Sequence, residues 1–179
     1  MFRSALVTAG LVVCLSTLGA TTLIRATLDD LIQKSTEIVR GRVERSYSIN
    51  QGSQITTHVQ VRVLERWKGP GADSVEFVLP GGESGGFRQQ IIGVPQLTTG
   101  SEHIFFLWAG SSGTKHMLGL SQGVLDIAKD KAGNSMVSRR AVDAVLLDPR
   151  TGKTSSDESV SMSFADFSAR VSRVLKGTK

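Results

Sequence analysis

The chain has 179 residues, 40% of them hydrophobic and 21% charged, and its 21 Lys and Arg against 16 Asp and Glu give a formal net charge of +5. The cations are scattered among carboxylates, with no basic stripe and no aromatic residues interleaved for base stacking, which argues against nucleic acid as a partner and leaves only weak attraction to acidic surfaces. A single cysteine excludes an internal disulfide and a thiolate-held metal, so an apolar core must stabilise the fold, and the chain is long enough for one.

At the amino terminus Arg3 precedes an uncharged run from Ser4 to Ala20 that carries Leu6, Val7, Leu11, Val12, Val13, Leu15 and Leu18, the layout of a secretory signal peptide. The run is shorter than the roughly 20 apolar residues that span a bilayer as a helix. Gly19-Ala20 offers a cleavage point before Thr21, and Ala26 offers a second. Residues 1–20 are therefore expected to be removed, leaving no stable membrane anchor and an extracytoplasmic chain, periplasmic or secreted. Cys14 falls within the discarded run, and Val13 before it is not the small residue that lipid attachment wants, so the mature domain is expected to be cysteine-free.

Thr27 followed by Asp29 and Asp30 reads as a helix N-cap with an acidic first turn, and Leu28, Leu31 and Ile32 give that helix one apolar face as far as about Ser35. From Glu37 the period changes to that of a strand, with Gly41 marking a bulge or bend. After the turn Asn50-Gln51-Gly52-Ser53, alternation from Ile55 to about Trp67 places Val59, Val61 and Val63 on one face and His58, Gln60 and Arg62 on the other. Lys68-Gly69-Pro70-Gly71 turns the chain into a further strand, Val75 to Leu79, which Pro80 ends.

Gly81-Gly82-Glu83-Ser84-Gly85-Gly86 reads as a flexible loop, with a strand from Phe87 to Ile92 after it. Ile104 to Trp108, apolar on both faces, is the expected central strand. Met117–Leu120, Val124–Ile127 and Met136-Val137 follow as short strands, while Ala141–Leu147 reads as strand or helix. Residues 148–162 form a polar linker, and Ser163 caps a last helix, 163–176, with Phe164, Phe167, Val171, Val174 and Leu175 on one face. The prediction is a mainly β domain over 27–147 with a helix at each end, arranged as an OB-like Greek-key barrel.

The run Glu37-Ile38-Val39-Arg40-Gly41-Arg42-Val43, the long strand into Arg66-Trp67-Lys68-Gly69-Pro70, and Val75-Glu76-Phe77-Val78 together resemble the core of netrin-like domains, particularly tissue inhibitors of metalloproteinases. Gly100 to Leu107, and Met117-Leu118 through to Asp126, keep the same order, so the resemblance covers roughly 28 to 127. It is closer still to exported bacterial proteins of unknown role that share the motif order. The animal inhibitors act through an amino-terminal cysteine and disulfides, and no cysteine survives export here, so that chemistry does not carry over.

Candidate sites are few. His58, His103 and His116 show no metal-ligand spacing, and neither metal nor cofactor is expected. Ser84 between glycines lacks the strand-to-helix elbow of a hydrolase nucleophile, and the glycines around it lack the Lys-Ser or Lys-Thr of a phosphate loop. Trp108 is expected in the core, whereas Trp67, beside a turn, is open to either a core or a recognition role. The expectation is a non-enzymatic module that binds another extracytoplasmic protein, a protease among the candidates. Its working rim is expected at Trp67, Lys68 and Gly69 together with Gly81, Gly82, Glu83, Gly85 and Gly86. The alternatives are an envelope hydrolase, metal-dependent or otherwise, built on Glu102, His103 and His116, and a structural envelope component.

Overall fold

A computed structural model of the chain describes residues 23–141 and 145–177. The signal peptide expected at 1–20, Cys14 and residues 142–144 of the Ala141–Leu147 segment lie outside the described residues. In chain order the elements are β1 (Leu23–Ile24), α1 (Leu28–Lys34), β2 (Glu37–Gln51), β3 (Gln54–Lys68), β4 (Ser74–Pro80), β5 (Gly82–Ser84), β6 (Phe87–Gln89), β7 (Glu102–Ala109), β8 (Lys115–Met117), a 3-10 turn (Leu120–Gly123), β9 (Val124–Lys129), β10 (Ser135–Arg139), β11 (Leu146–Leu147), β12 (Thr154–Ser155), β13 (Val160–Ser163) and α2 (Phe164–Gly177). Over the described residues the chain is mainly β with two helices, one at each end of the main sheet's sequence. Among the described residues no helix is long and apolar enough to cross a membrane.

Local chemistry sets both helix starts. The Thr27 hydroxyl accepts from the Asp30 amide at 3.1 Å while the Asp30 carboxylate accepts from the Thr27 amide at 3.1 Å, a reciprocal capping box. Ser163 Oγ accepts from the Asp166 amide at 3.0 Å and fixes the start of α2 in the same way.

Eight strands form one sheet in the order β13-β10-β9-β7-β2-β3-β4-β8, and β8 pairs with β7 as well as with β4. The β4–β8 pairing is parallel and rests on Val78 opposite His116; the others are antiparallel. Register slips along β2 and β3 occur at Ile38/Val39, Arg40/Gly41 and Val43/Arg45, bending the long hairpin. Gly41 is required at one of them, because a Cβ there would lie 2.2 Å from Val61 Cγ1 and 2.8 Å from the Arg62 carbonyl oxygen.

The alternation of β2 and β7 feeds two cores. Val39, Val43, Phe105 and Leu107 join Val59, Val61, Val75, Phe77, Leu79, Met117 and Val124 in the first. Ile38, Ile104 and Phe106 face the other way, where the apolar sides of α1 and α2 cover them with Leu31, Ile32, Phe167 and Val171. β7 is thus the central strand predicted from its two apolar faces.

Several expectations need correction. Gly81–Gly86 is not an open loop: β5 pairs antiparallel with β6, and Gly85-Gly86, with φ of +60° and +78°, makes the two-residue turn. The strand expected to run to Ile92 therefore ends at Gln89. Met117–Leu120 is strand only to Met117, after which Gly119 and Leu120 take positive φ and enter the 3-10 turn. Leu146-Leu147 joins β1 and β12 in a separate small sheet instead of extending the main one. The polar stretch 148–162 is more than a linker, because it supplies β12 and most of β13, which pairs with β10. Trp108 is 40% exposed: it shares Phe106's face but lies outside the second core, and its indole stacks on His116, ring centroids 5.1 Å apart.

Candidate functional site

Where β4 ends, the chain passes over the far end of the first core and leaves a cleft. Gly81 and Gly82 have φ of +83° and +136°, and each is pressed against the sheet. A Cβ on Gly81 would lie 2.6 Å from the Gln89 carbonyl oxygen, and one on Gly82 would lie 2.3 Å from Thr57 Oγ1. Thr57 Oγ1 donates to the Gly81 carbonyl at 2.7 Å, the Gly81 amide donates to the Ile55 carbonyl at 2.7 Å, and Gln89 Oε1 accepts from the Ile55 amide at 2.8 Å. The β5–β6 hairpin is therefore held rigidly to the mouth of the sheet.

Between this hairpin and the segment 90–97 lies an open cleft of about 250 Å³. Val59, Leu79, Val94 and Leu97, all part of the first core or packed on it, make its apolar floor, while Glu83, Arg88, Gln90 and Gln96 line its polar walls. On the hairpin Phe87 is 66% exposed and borders a second depression with Asn50, Gly52, Ser53 and Ile55, and Ile92, further along the chain, is 57% exposed. Single exposed apolar residues are ordinary on a protein surface; what marks this region is the cleft itself, whose apolar floor and polar walls form the arrangement typical of a recognition site.

Of the residues expected on the working rim, Gly81, Gly82 and Glu83 line this cleft, and Gly85 and Gly86 turn the hairpin above it. Trp67, Lys68 and Gly69 are not brought to it. They sit at the opposite end of β3, on the order of 30 Å away at about 3.3 Å per residue. Each has a structural role there. The Trp67 ring meets Phe164 and Phe167 at centroid distances of 5.9 and 5.3 Å, filling the space beneath α2. Lys68 Nζ donates to the Ile32 and Gln33 carbonyls at 3.2 and 2.8 Å, closing the carboxyl end of α1, and partial burial pushes its ammonium below the usual lysine range.

Glu102, His103 and His116 do not converge. The Glu102 carboxylate is taken by Arg40 at 2.6 Å and Arg42 at 3.5 Å, and His116 lies five residues further along the β7 ladder, opposite Trp108. Among the described residues no three His, Cys, Asp or Glu side chains are grouped as metal ligands. His58 is less open than expected, stacked on Tyr47 at 5.0 Å and bonded through Nδ1 to Glu76 at 3.0 Å.

One constellation was missed in the sequence. His103 Nδ1 lies 2.9 Å from Asp126 Oδ1 and His103 Nε2 lies 2.8 Å from Ser101 Oγ, the connectivity of a Ser-His-Asp triad. Other geometry opposes nucleophilic use. The Ser101 hydroxyl donates to the Thr98 carbonyl, which turns its lone pairs, not its proton, toward the imidazole. The amides that would supply an oxyanion hole are also occupied, Gly100 N donating to the Val43 carbonyl at 2.8 Å and Ser101 N to the Thr98 carbonyl at 3.0 Å. The three residues lock the 98–101 turn to β9. No protein-family model and no curated protein matches the chain.

Proposed function

We propose that this chain is an exported, non-enzymatic protein-binding module built on an OB-like Greek-key barrel of the netrin and metalloproteinase-inhibitor kind. The barrel reading draws on the pairing order. Stepping sideways from Tyr47 through His58, Val78, His116 and Trp108 leads back to β2 beside Thr36, well along the strand from the start, the stagger a closed sheet requires. The binding reading rests on one observation: a rigid hairpin that exposes Phe87 also walls, through Glu83 and Arg88, a cleft with an apolar floor. Rigid presentation limits the ordering cost of association, and an aromatic anchor beside a cleft is the usual centre of a protein contact.

The partner is another extracytoplasmic protein, a protease among the candidates, which contributes an apolar side chain to the cleft and packs against Phe87. The test is site-specific photocrosslinking in the envelope of the native host, with the crosslinker at Phe87 in one chain and at Pro70, on the far end, in another. A single saturable adduct at Phe87 that is absent at Pro70 is expected. Equal or absent adducts at the two positions would sink the reading and leave a structural envelope component as the better account.

A further inference from the structure

We propose that leader removal leaves residues 21–26 on the chain, so that the exported form begins upstream of Leu23 and not at Thr27. The proposal rests on reading 1–20 as an export leader. Gly19-Ala20 and Ala26 both supply the small residue a signal peptidase needs, and the cut after Ala20 is the one expected from the sequence. The folded product distinguishes them.

Residues 23–26 are bonded on both sides. On one side β1 runs parallel to β11, Leu23 N donating to the Val145 carbonyl at 3.4 Å and Arg25 N to the Leu147 carbonyl at 2.9 Å. On the other side the Gln122 side chain takes the place of a neighbouring strand. Its Oε1 accepts from Ala26 N at 2.9 Å and its Nε2 donates to the Ile24 carbonyl at 2.9 Å. Gln122 is fully buried, and its own carbonyl accepts from Arg139 Nη1 at 2.8 Å. Arg139 Nη2 continues to Asp157 Oδ1 and the Glu158 carbonyl, both at 2.9 Å, while Arg25 pairs with the Glu158 carboxylate. Leu23 fills the space in front of Gly93, where a Cβ would lie 2.7 Å from Leu23 Cδ1.

A cut after Ala26 would strip β1 from β11, remove Arg25 from Glu158, empty the space at Gly93 and orphan most of a buried amide side chain. The last loss is the most costly, because a buried polar group without partners carries its full desolvation penalty. A cut after Ala20 costs none of this.

The full-length chain is secreted from a bacterial host and its intact mass measured; a start between Thr21 and Leu23 is expected. A start at Thr27 overturns the proposal, and a chain still carrying residues 1–20 overturns it together with the export reading. Separately, chains starting at Thr21 and at Thr27 are produced without a leader, and the shorter is expected to melt about 10 °C lower or to lose its cooperative transition. Gln122→Leu, which removes the orphaned amide, is expected to lower the Tm of the longer chain and to restore part of that of the shorter. Equal melting temperatures for the two chains overturn the structural argument for the upstream start.

Discussion

Gly69 faces Glu37 so closely that a Cβ on the glycine would stand 2.4 Å from the Glu37 Cγ. The contact sits at the end of the first core opposite the cleft. There Glu37, almost fully buried, accepts from Arg66 Nη1 at 2.7 Å through one carboxylate oxygen and from Lys115 Nζ at 2.8 Å through the other. Gly69 also has φ of +101°, so both its backbone conformation and its neighbour demand a residue without a side chain.

Removing one member of a buried ion group leaves the others uncompensated. Glu37→Gln is expected to destabilise the fold by about 3 kcal/mol in chemical denaturation. Gly69→Ala should cost about 2 kcal/mol, whereas Gly113→Ala, at φ +80° with open space around it, should cost closer to 1 kcal/mol. Equal losses at the two glycines would show that the Glu37 contact is unimportant.

Trp67 and Phe87 should separate folding from recognition. Trp67→Ala removes a ring packed on Phe164 and Phe167 and should cost about 3 kcal/mol. Phe87→Ser, at an exposed position, should stay within about 0.5 kcal/mol of the parent while abolishing the adduct formed by a crosslinker placed at the neighbouring Arg88. Thermal melts and adduct yield measured on the same two variants check both statements.

The Thr27 hydroxyl that donates to Asp30 holds the Asp30 carboxyl below its ordinary value near 3.8. A carboxylate with a lowered folded pKa contributes stability that is fully present above the unfolded value and lost as pH falls through the folded one. The stability difference between the parent and Asp30→Asn should therefore be constant above about pH 5 and shrink below pH 3.8. Asp130 and Asp148, also lowered by local hydrogen bonds, are common to both chains and cancel. A difference that persists unchanged at low pH would contradict the capping account.

Ser101 should not react as a nucleophile. A fluorophosphonate probe is expected to leave the intact mass unchanged, because the serine proton is engaged by the Thr98 carbonyl. Stoichiometric labelling lost in His103→Ala would instead establish a working triad.

Signals carried by neighbouring residues were legible in the sequence: the Thr27 cap, the alternation of β3, the two apolar faces of β7 and the stripe of α2. The β5–β6 hairpin was legible too, since Gly85-Gly86 is a two-residue turn of the kind that joins paired strands, but the density of glycine read as looseness. What escaped depends on distant register. Nothing local links His103 to Asp126; they meet because β7 lies against β9. Trp108 is exposed because it lies near the end of β7, outside the second core, and the separation of Gly81 from Lys68 follows from the length of β3, neither of which composition reveals.

Because consecutive residues of β2 such as Ile38 and Val39 look into different interiors, that strand acts as a party wall between two rooms. Shifting it by one position would turn both rooms inside out at once, so the helical annex and the sheet's interior must be completed together or not at all. Heat or denaturant should therefore take both down in a single step.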